Sequence, residues 1–314
     1  MKPIVPEVKR ELIESELTEE KFLRLTNNIS NHIFIINGNE SPNTMREIGR
    51  LRELTFRSAG GGSGNELDLD QYDFGPNAYK QLIVWDPGER EIVGGYRYIL
   101  CNEAEKDKNG KILLATSGLF DFSEVFNNEY LPHAIELGRS FVHPLYQSAR
   151  TGRKGIFAMD NLWDGIGALV VGNPEIKYLF GKVTMYPHFN LLARDQILFF
   201  MRKYFSDNEK LAWPKVPVEL HHDIAELLIS LHGKTYKEDY RLLSKKVRSL
   251  GENIPPLINS YMNLSPSMKF FGTSINAHFG NVEETAILIT LKDIYFDKII
   301  RHVKDYRKAK TINN

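Results

Sequence analysis

Residues 133–171 constrain the fold more than any other stretch of the chain. Their pattern predicts an apolar strand, a basic turn that contains glycine, and a long helix whose apolar residues recur at helical spacing. This order places backbone N–H groups, together with Arg150 and Arg153, at the N-terminus of a helix. Helix N-termini bind anions, so we expect a strand, turn and helix unit that holds a phosphate.

Two charged residues, Glu136 and Arg139, interrupt the predicted strand. Charges in an apolar strand are unfavourable unless they are paired or functional. A structural ion pair and a catalytic role are both open at this point. In a regular strand the two side chains, three residues apart, point to opposite faces unless a bulge at Gly138 redirects Arg139.

The basic turn at residues 150–155 suits a phosphopantetheine donor. Its backbone N–H groups and three cations are the groups that bind phosphate, although an exposed loop explains the same residues. Transfer of an acyl group from such a thioester to an amine also needs a base, because amino groups are largely protonated at neutral pH. Glu136 is the leading candidate for this base.

Composition excludes several classes of partner. Lys+Arg and Asp+Glu are both 40, so the whole chain has no charge bias toward nucleic acid or anionic lipid, and any basic site must be local. The single Cys101 rules out an internal disulfide and fits a reducing cytoplasm. We see no secretory signal and no apolar run near the roughly 20 residues of a membrane helix. We expect a cytoplasmic protein, with peripheral contact at the inner membrane left open.

Alternating strand and helix patterns predict an α/β (α+β) fold, a mixed sheet flanked by helices. We expect a helical lead-in over residues 1–30, with a helix from Thr18, and a core over residues 31–205. Residues 206–314 are expected to form a helix-rich extension that completes the same unit. Gly94 and Gly95 predict a bulge or a close backbone approach within a hairpin.

The acidic residues Asp68, Asp70 and Asp73 form the other concentration of charge. A calcium loop is the functional alternative, but this segment lacks the later Gly and Glu of the calcium-binding pattern. A solvated acidic loop is the simpler interpretation. We expect no metal site and no permanently bound cofactor.

Taken together, these motifs resemble a known family. Arg52 and Phe56 are similar to its Arg-x-x-x-Phe helix, and residues 68–73 to its Asp-x-Asp-x-aromatic-Asp segment. The strand with Arg97 and the segment ELGRSFV, with Glu136, Arg139 and Ser140, resemble two of its motifs. The chain thus resembles the GNAT-superfamily N-acyl amino acid synthases, the ornithine-lipid and glycine-lipid N-acyltransferases often labelled hemolysin-like. These are related to the acyl-homoserine-lactone synthases. The resemblance covers roughly residues 30–295.

The resemblance implies a function and a site. The donor would be a long-chain, 3-hydroxylated acyl group on acyl carrier protein, with coenzyme A as the alternative carrier. The acceptor would be an amino acid, and a separate O-acyltransferase would finish the lipid. Glu136 and Arg139 would be catalytic, and two further sets would bind the substrate (Arg52, Phe56, Asp68, Asp70, Asp73, Arg97, Ser140) and the phosphopantetheine or its carrier (Arg150, Gly152, Arg153, Lys154, Gly155).

Two departures from the family pattern narrow these expectations. The usual superfamily phosphate loop does not fit RTGRKG in register. FGKVTM replaces a more typical FGCASF-like strand, which favours glycine over ornithine as the acceptor. The alternatives are a coenzyme-A-dependent short-chain N-acetyltransferase and, in another class, a peripheral membrane-binding or lytic protein. A glycerolipid O-acyltransferase is disfavoured because the chain has no His-x-x-x-x-Asp pattern.

Overall fold

The computed structural model describes residues 1–147, 153–304 and 306, and of Arg153, Lys154, Ile156 and Lys304 only the backbone. The strands are β1 (Phe22–Leu25), β2 (His32–Ile36), β3 (Lys80–Asp86), β4 (Glu91–Leu100), β5 (Phe120–Phe122), β6 (Ala134–Val142), β7 (Tyr178–Met185), β8 (Ala212–Pro214), β9 (Lys269–Asn276) and β10 (Val282–Thr290). The helices are α1 (Arg10–Glu16), α2 (Pro42–Ser58), α3 (Pro144–Gln147), α4 (Arg153–Gly172), α5 (Leu191–Tyr204), α6 (Ile224–Ser230), α7 (Tyr236–Ser249), α8 (Pro256–Met262) and α9 (Phe296–Ile299).

The chain divides into two compact units. Unit 1 comprises Met1–Ala115, Leu131–Lys177 and Phe296–Asn314, as far as these residues are described, and unit 2 comprises Thr116–Tyr130 and Tyr178–Tyr295. The predicted division at residues 30/31 and 205/206 follows other boundaries and stays a prediction. The predicted fold class, an α/β sheet flanked by helices with a helix-rich C-terminal part, is confirmed.

Unit 1 contains an antiparallel sheet in the order β1-β2-β3-β4-β6. Helices α2 and α4 cover its opposite faces. On β3, Gln81 contacts Arg52 of α2, whereas the next residue, Leu82, lies against Gly165 of α4. Successive residues of a strand point to opposite faces, so these contacts place the helices on either side of the sheet. The face under α2 carries the charged residues of the predicted site.

Helix α2 confirms the predicted apolar stripe, since Met45, Ile48 and Leu51 are buried at helical spacing. The expected helix from Thr18 is wrong. Residues 19–21 form one 3₁₀ turn and lead into β1, which pairs with β2. The acidic start suited a helix cap, but pairing with the neighbouring strand determines the conformation of this short segment.

A bulge interrupts the pairing of β4 with β6. Gly95 pairs with Phe141 and Arg97 with Gly138, so the single residue Tyr96 faces two residues, Arg139 and Ser140. The predicted bulge is therefore present, one residue beyond Gly138. Arg139 adopts a φ of 48°, a left-handed conformation that costs a non-glycine residue about 1–2 kcal/mol. Such strain persists where the surroundings hold it, commonly at functional sites.

Glycine at position 94 permits the close approach of these strands. A Cβ atom there would lie 2.5 Å from the carbonyl oxygen of Phe141, closer than real Cβ contacts allow. The expectation of a close backbone approach in this hairpin is thus confirmed.

Unit 2 contains the strands β7, β10 and β9, with β10 antiparallel to both neighbours, and a separate β5-β8 pair. The C-terminal region thus adds strands beside β7. Phe122, Phe126, Phe180 and Phe271 meet edge to face in its core. Among the residues that the structure describes, no helix has the length and apolar character needed to cross a membrane.

Candidate active site

Asp73 is the centre of a buried charged cluster in unit 1. Its Oδ1 accepts hydrogen bonds from Arg52 Nη1 at 3.1 Å and Gln81 Nε2 at 3.0 Å, and its Oδ2 lies 3.3 Å from Arg97 Nη1. Burial opposes ionisation of Asp73, but Arg52 and Arg97 outweigh it and lower its pKa to about 2. Burial lowers the pKa of Arg52, an effect that Asp73 opposes. The acidic segment is therefore not the solvated loop of the simpler interpretation.

The local sequence explains how the side chain of Asp73 is oriented. Asp70 Oδ1 accepts a hydrogen bond from the N–H of Tyr72, and Asp73 Oδ2 accepts one from the N–H of Asp70, both at 2.9 Å. These reciprocal bonds form a capping box around one 3₁₀ turn, Gln71–Asp73. The spacing of three residues between the two aspartates thus fixes both side chains.

Arg97 of β4 joins the turn to the sheet. Its Nη1 donates to Asp70 Oδ1 at 2.6 Å, and its guanidinium lies 5.6 Å from the ring centre of Tyr72 and 5.2 Å from that of Tyr79. Cations are attracted to aromatic faces at these distances. Burial opposes the charge on Arg97, yet Asp73 and Asp70 raise its pKa above the ordinary value. Arg97 is therefore a permanently charged member of the cluster.

The bulge brings Arg139 to the same carboxylates. Its Nε lies 2.9 Å from Asp68 Oδ2, and its Nη2 lies 3.5 Å from Asp70 Oδ2. Burial raises the pKa of Asp68, and Arg139 opposes that rise. Arg139 thus forms ion pairs with Asp68 and Asp70.

Glu136 is buried, and its Oε2 accepts a hydrogen bond from the hydroxyl of Tyr79. The N–H of Ala115 donates to the same Tyr79 oxygen at 2.9 Å and lies 3.3 Å from Glu136 Oε2. Burial and the neighbouring Glu136 raise the pKa of Tyr79 well above its ordinary value, so Tyr79 stays a neutral donor. Tyr79 binds Glu136, and Arg97, which contacts the aspartates, lies over the ring of Tyr79. Glu136 and the aspartates therefore belong to one connected site.

Sequence reasoning missed Tyr79 and Gln81. Both belong to the segment YKQLIVW, where they occupy alternate positions at the start of a strand. Alternation places them on one face, and a glutamine on the buried face of a strand needs partners. That polar residue in an apolar strand was the available signal, but the sequence does not say which partners it meets.

The cluster has one edge that solvent reaches. The side chains of Asp70 and Arg139 are 32% and 18% exposed, whereas those of Arg52 and Asp73 are fully buried. Beside Arg139, Ser140 has a buried Oγ atom with no hydrogen-bond partner in the part of the chain that the structure describes. A buried hydroxyl without a partner is suited to a ligand. Asp70 and Arg139 thus form the solvent-exposed edge of the cluster, and Ser140 follows Arg139 in the sequence.

Two groups of predicted residues lie outside this cluster. Phe56 is buried one helical turn beyond Arg52, and it belongs to the apolar core. Arg150 and Gly152 of the predicted phosphate turn fall outside the described residues. Arg153, Lys154 and Gly155 lie in the first turn of α4, so the helix begins within the segment that was predicted to be a turn. Over the described ranges, we find no cluster of three or more metal-ligating side chains.

The part of the chain that contains the cluster matches a known protein family. Residues 51–154, which contain most of the cluster and the bulged strand, match the family model of the acetyltransferase (GNAT) domain. No solved structure matches the chain significantly.

Two curated relatives extend the match to nearly the whole chain. A glycine N(alpha)-acyltransferase of Phocaeicola vulgatus is 52% identical over 98% of this chain and 94% of its own length. A glycine N(alpha)-acyltransferase of Bacteroides thetaiotaomicron is 53% identical over 98% of this chain and 91% of its own length. The chain belongs to the same family of GNAT-superfamily N-acyltransferases, which confirms the predicted resemblance.

Proposed function

We propose that this protein transfers a long-chain acyl group from the phosphopantetheine thioester of acyl carrier protein to the amino group of glycine. The choice of glycine as the acceptor rests on the sequence identity, above 50%, to two relatives named glycine N(alpha)-acyltransferase. The carrier protein and the 3-hydroxylated acyl chain come from the sequence resemblance. The product is an N-acylglycine, a lyso-aminolipid that a separate O-acyltransferase completes.

The charge of the site supports an amine as the acceptor. The cluster contains four carboxylates, on Asp68, Asp70, Asp73 and Glu136, but only three guanidinium groups, on Arg52, Arg97 and Arg139. With every group ionised, the site has one excess negative charge in a poorly solvated environment. Such a site attracts an ammonium group, and one of its carboxylates can accept the proton that the amine must lose.

We assign the proton transfer to Glu136. The ammonium group first releases one proton to solvent. The amine nitrogen then forms a bond to the thioester carbonyl carbon, the C–S bond breaks, and the sulfur leaves as a thiol after it receives the second amine proton. Glu136 accepts the proton from the amine and returns it to the leaving sulfur. The hydroxyl of Tyr79 and the N–H of Ala115 hold Oε2 of Glu136, which fixes the orientation of this carboxylate.

The exposed edge of the cluster fits the two ends of an amino acid. The carboxylate of Asp70 is a partner for the ammonium group, and the guanidinium of Arg139 is a partner for the carboxylate. The unpartnered Oγ of Ser140 lies beside Arg139 in the sequence and supplies one further hydrogen bond. We propose these three residues as the acceptor site.

The test is a transfer assay with purified protein. Acyl carrier protein loaded with 3-hydroxypalmitate, and the matching coenzyme A thioester, are each offered with glycine, alanine, serine or ornithine, and amides are detected by mass spectrometry. We expect N-acylglycine from the carrier-protein donor. Glu136→Gln should lower turnover at least about tenfold, whereas Glu66→Gln, a change at an exposed carboxylate, should not. No amide with any acceptor refutes the proposal.

A further inference from the structure

Helix α6 in unit 2 is apolar on both of its sides. Its sequence is IAELLIS, in which Leu227 is buried. The large side chains of Ile224, Leu228 and Ile229 are nevertheless 53%, 48% and 73% exposed. Large aliphatic side chains on the outer side of a helix are normally covered by another element. The outer side of α6 therefore presents a small aliphatic surface that has no covering element among the described residues.

The next helix, α7, has a row of cations. Lys237, Arg241, Lys245 and Arg248 recur at intervals of three or four residues, and all four are exposed. The buried residues of α7, Asp239, Leu243 and Val247, lie on the opposite side. Exposed acids are fewer here, with Glu238 on α7, Glu226 on α6 and Asp223 at the N-cap of α6. The outer side of α7 is thus positively charged.

Both helices pack against α5 by their inner sides. Asp239 of α7 accepts hydrogen bonds from Lys203 at 2.6 Å and Tyr204 at 2.7 Å. Ser230 of α6 donates to Gln196 of α5 at 2.8 Å. The two helices share one support and are neighbours within unit 2, so their outer sides lie near each other. We name Ile224, Leu228, Ile229 and the four cations of α7 the α6–α7 surface.

We propose that the α6–α7 surface docks the protein on an anionic lipid bilayer. Protruding aliphatic side chains insert between headgroups, and neighbouring lysines and arginines attract anionic lipids. Aliphatic residues beside a row of cations provide both contributions. A long-chain acyl product would be released next to the membrane that takes it up, but the inference does not depend on the proposed reaction.

An acidic carrier protein is the competing occupant, and the surface favours the bilayer. Carrier recognition is chiefly a matter of charge complementarity. That accounts for the cations of α7 but not for Ile229, the most exposed of the three aliphatic side chains.

Vesicle flotation with the full-length protein tests the inference. Vesicles of phosphatidylcholine alone are compared with vesicles that contain phosphatidylglycerol, at low and high salt. We expect partitioning onto the anionic vesicles that weakens as salt rises. Replacing Lys237, Arg241 and Lys245 by glutamine should weaken it by about fivefold per cation. Ile229→Ser should weaken it by about tenfold.

A matched control variant distinguishes the effect of this surface on vesicle binding from the effect of net charge. Lys106, Lys108 and Lys111 are three exposed lysines in unit 1, and their replacement by glutamine should leave partitioning unchanged. Absence of partitioning, or equal loss in the control variant, overturns the proposal. The same follows if the α7 variant loses affinity for acyl carrier protein while its flotation is normal. Transfer activity measured with soluble donor is a separate readout, so failure of the proposed function is recognised independently.

Discussion

Replacing Tyr79 by phenylalanine removes a single buried hydroxyl from the centre of the proposed site. That hydroxyl donates to Glu136 Oε2 and accepts from the N–H of Ala115. In the variant, the Ala115 N–H still has Glu136 Oε2 as an acceptor at 3.3 Å, so this backbone donor is not left without a partner. The free energy of unfolding should therefore fall only by about 1.5–3 kcal/mol, the range for one hydrogen bond to a charged group.

The effect of Tyr79→Phe on catalysis should exceed what this loss of stability explains. A general base contributes roughly 10²–10⁴-fold, and a base that is held less firmly loses part of that. We expect a fall in kcat of about tenfold. The double variant Tyr79→Phe/Glu136→Gln should be no slower than Glu136→Gln alone, because Tyr79 acts through Glu136.

Steady-state kinetics on folded variants test whether Tyr79 positions Glu136. Tyr72→Phe is the matched control, since it makes the same chemical change in a ring that also lies beside Arg97. Its hydroxyl donates to the carbonyl oxygen of Leu114 at 3.3 Å. Tyr72→Phe should retain near-normal kcat. Full activity of Tyr79→Phe, or effects of Tyr79 and Glu136 that multiply independently, would refute the positioning role.

Two further predictions concern stability. Arg52→Met leaves Asp73 buried with one fewer cation, so the free energy of unfolding in denaturant titrations should fall by about 3–5 kcal/mol. Arg46→Met, at an exposed position of the same helix, should change it by less than about 0.5 kcal/mol, and equal effects would contradict the buried pairing. Burial and the nearby Arg50 lower the pKa of His143 from 6.5 to about 4. As the pH falls, His143 is therefore protonated in the unfolded chain before it is protonated in the folded protein. Stability of the wild type should therefore fall by roughly 3 kcal/mol as pH drops from 6.5 to 4, and His143→Gln should lack this part of the loss.

The sequence predicted those features that depend on local patterns. The apolar spacing of α2 was visible because this helix buries one side, and β6 was visible as a short apolar run. The acidic segment was assigned to the site by resemblance. Its burial was not evident, because a row of aspartates is solvated in most proteins and becomes buried only when arginines from other elements meet it.

Other features depend on contacts that are distant in the sequence. Tyr79 and Glu136 are 57 residues apart, and only the pairing of β3 with β4 and β4 with β6 brings them together. The bulge at Arg139 follows from the register of two strands, which a single strand does not specify. The wrong helix at Thr18 has the same origin, since a short segment takes its conformation from the strand beside it.

The most direct test of the proposed function is the lipid content of cells that express this chain. We expect mass spectrometry of the extract to detect N-acylglycine that is absent from cells without the gene and strongly reduced with Glu136→Gln. The control variant Glu66→Gln should give the wild-type amount. An extract with the protein present and folded but with no new N-acyl amino acid would contradict the account.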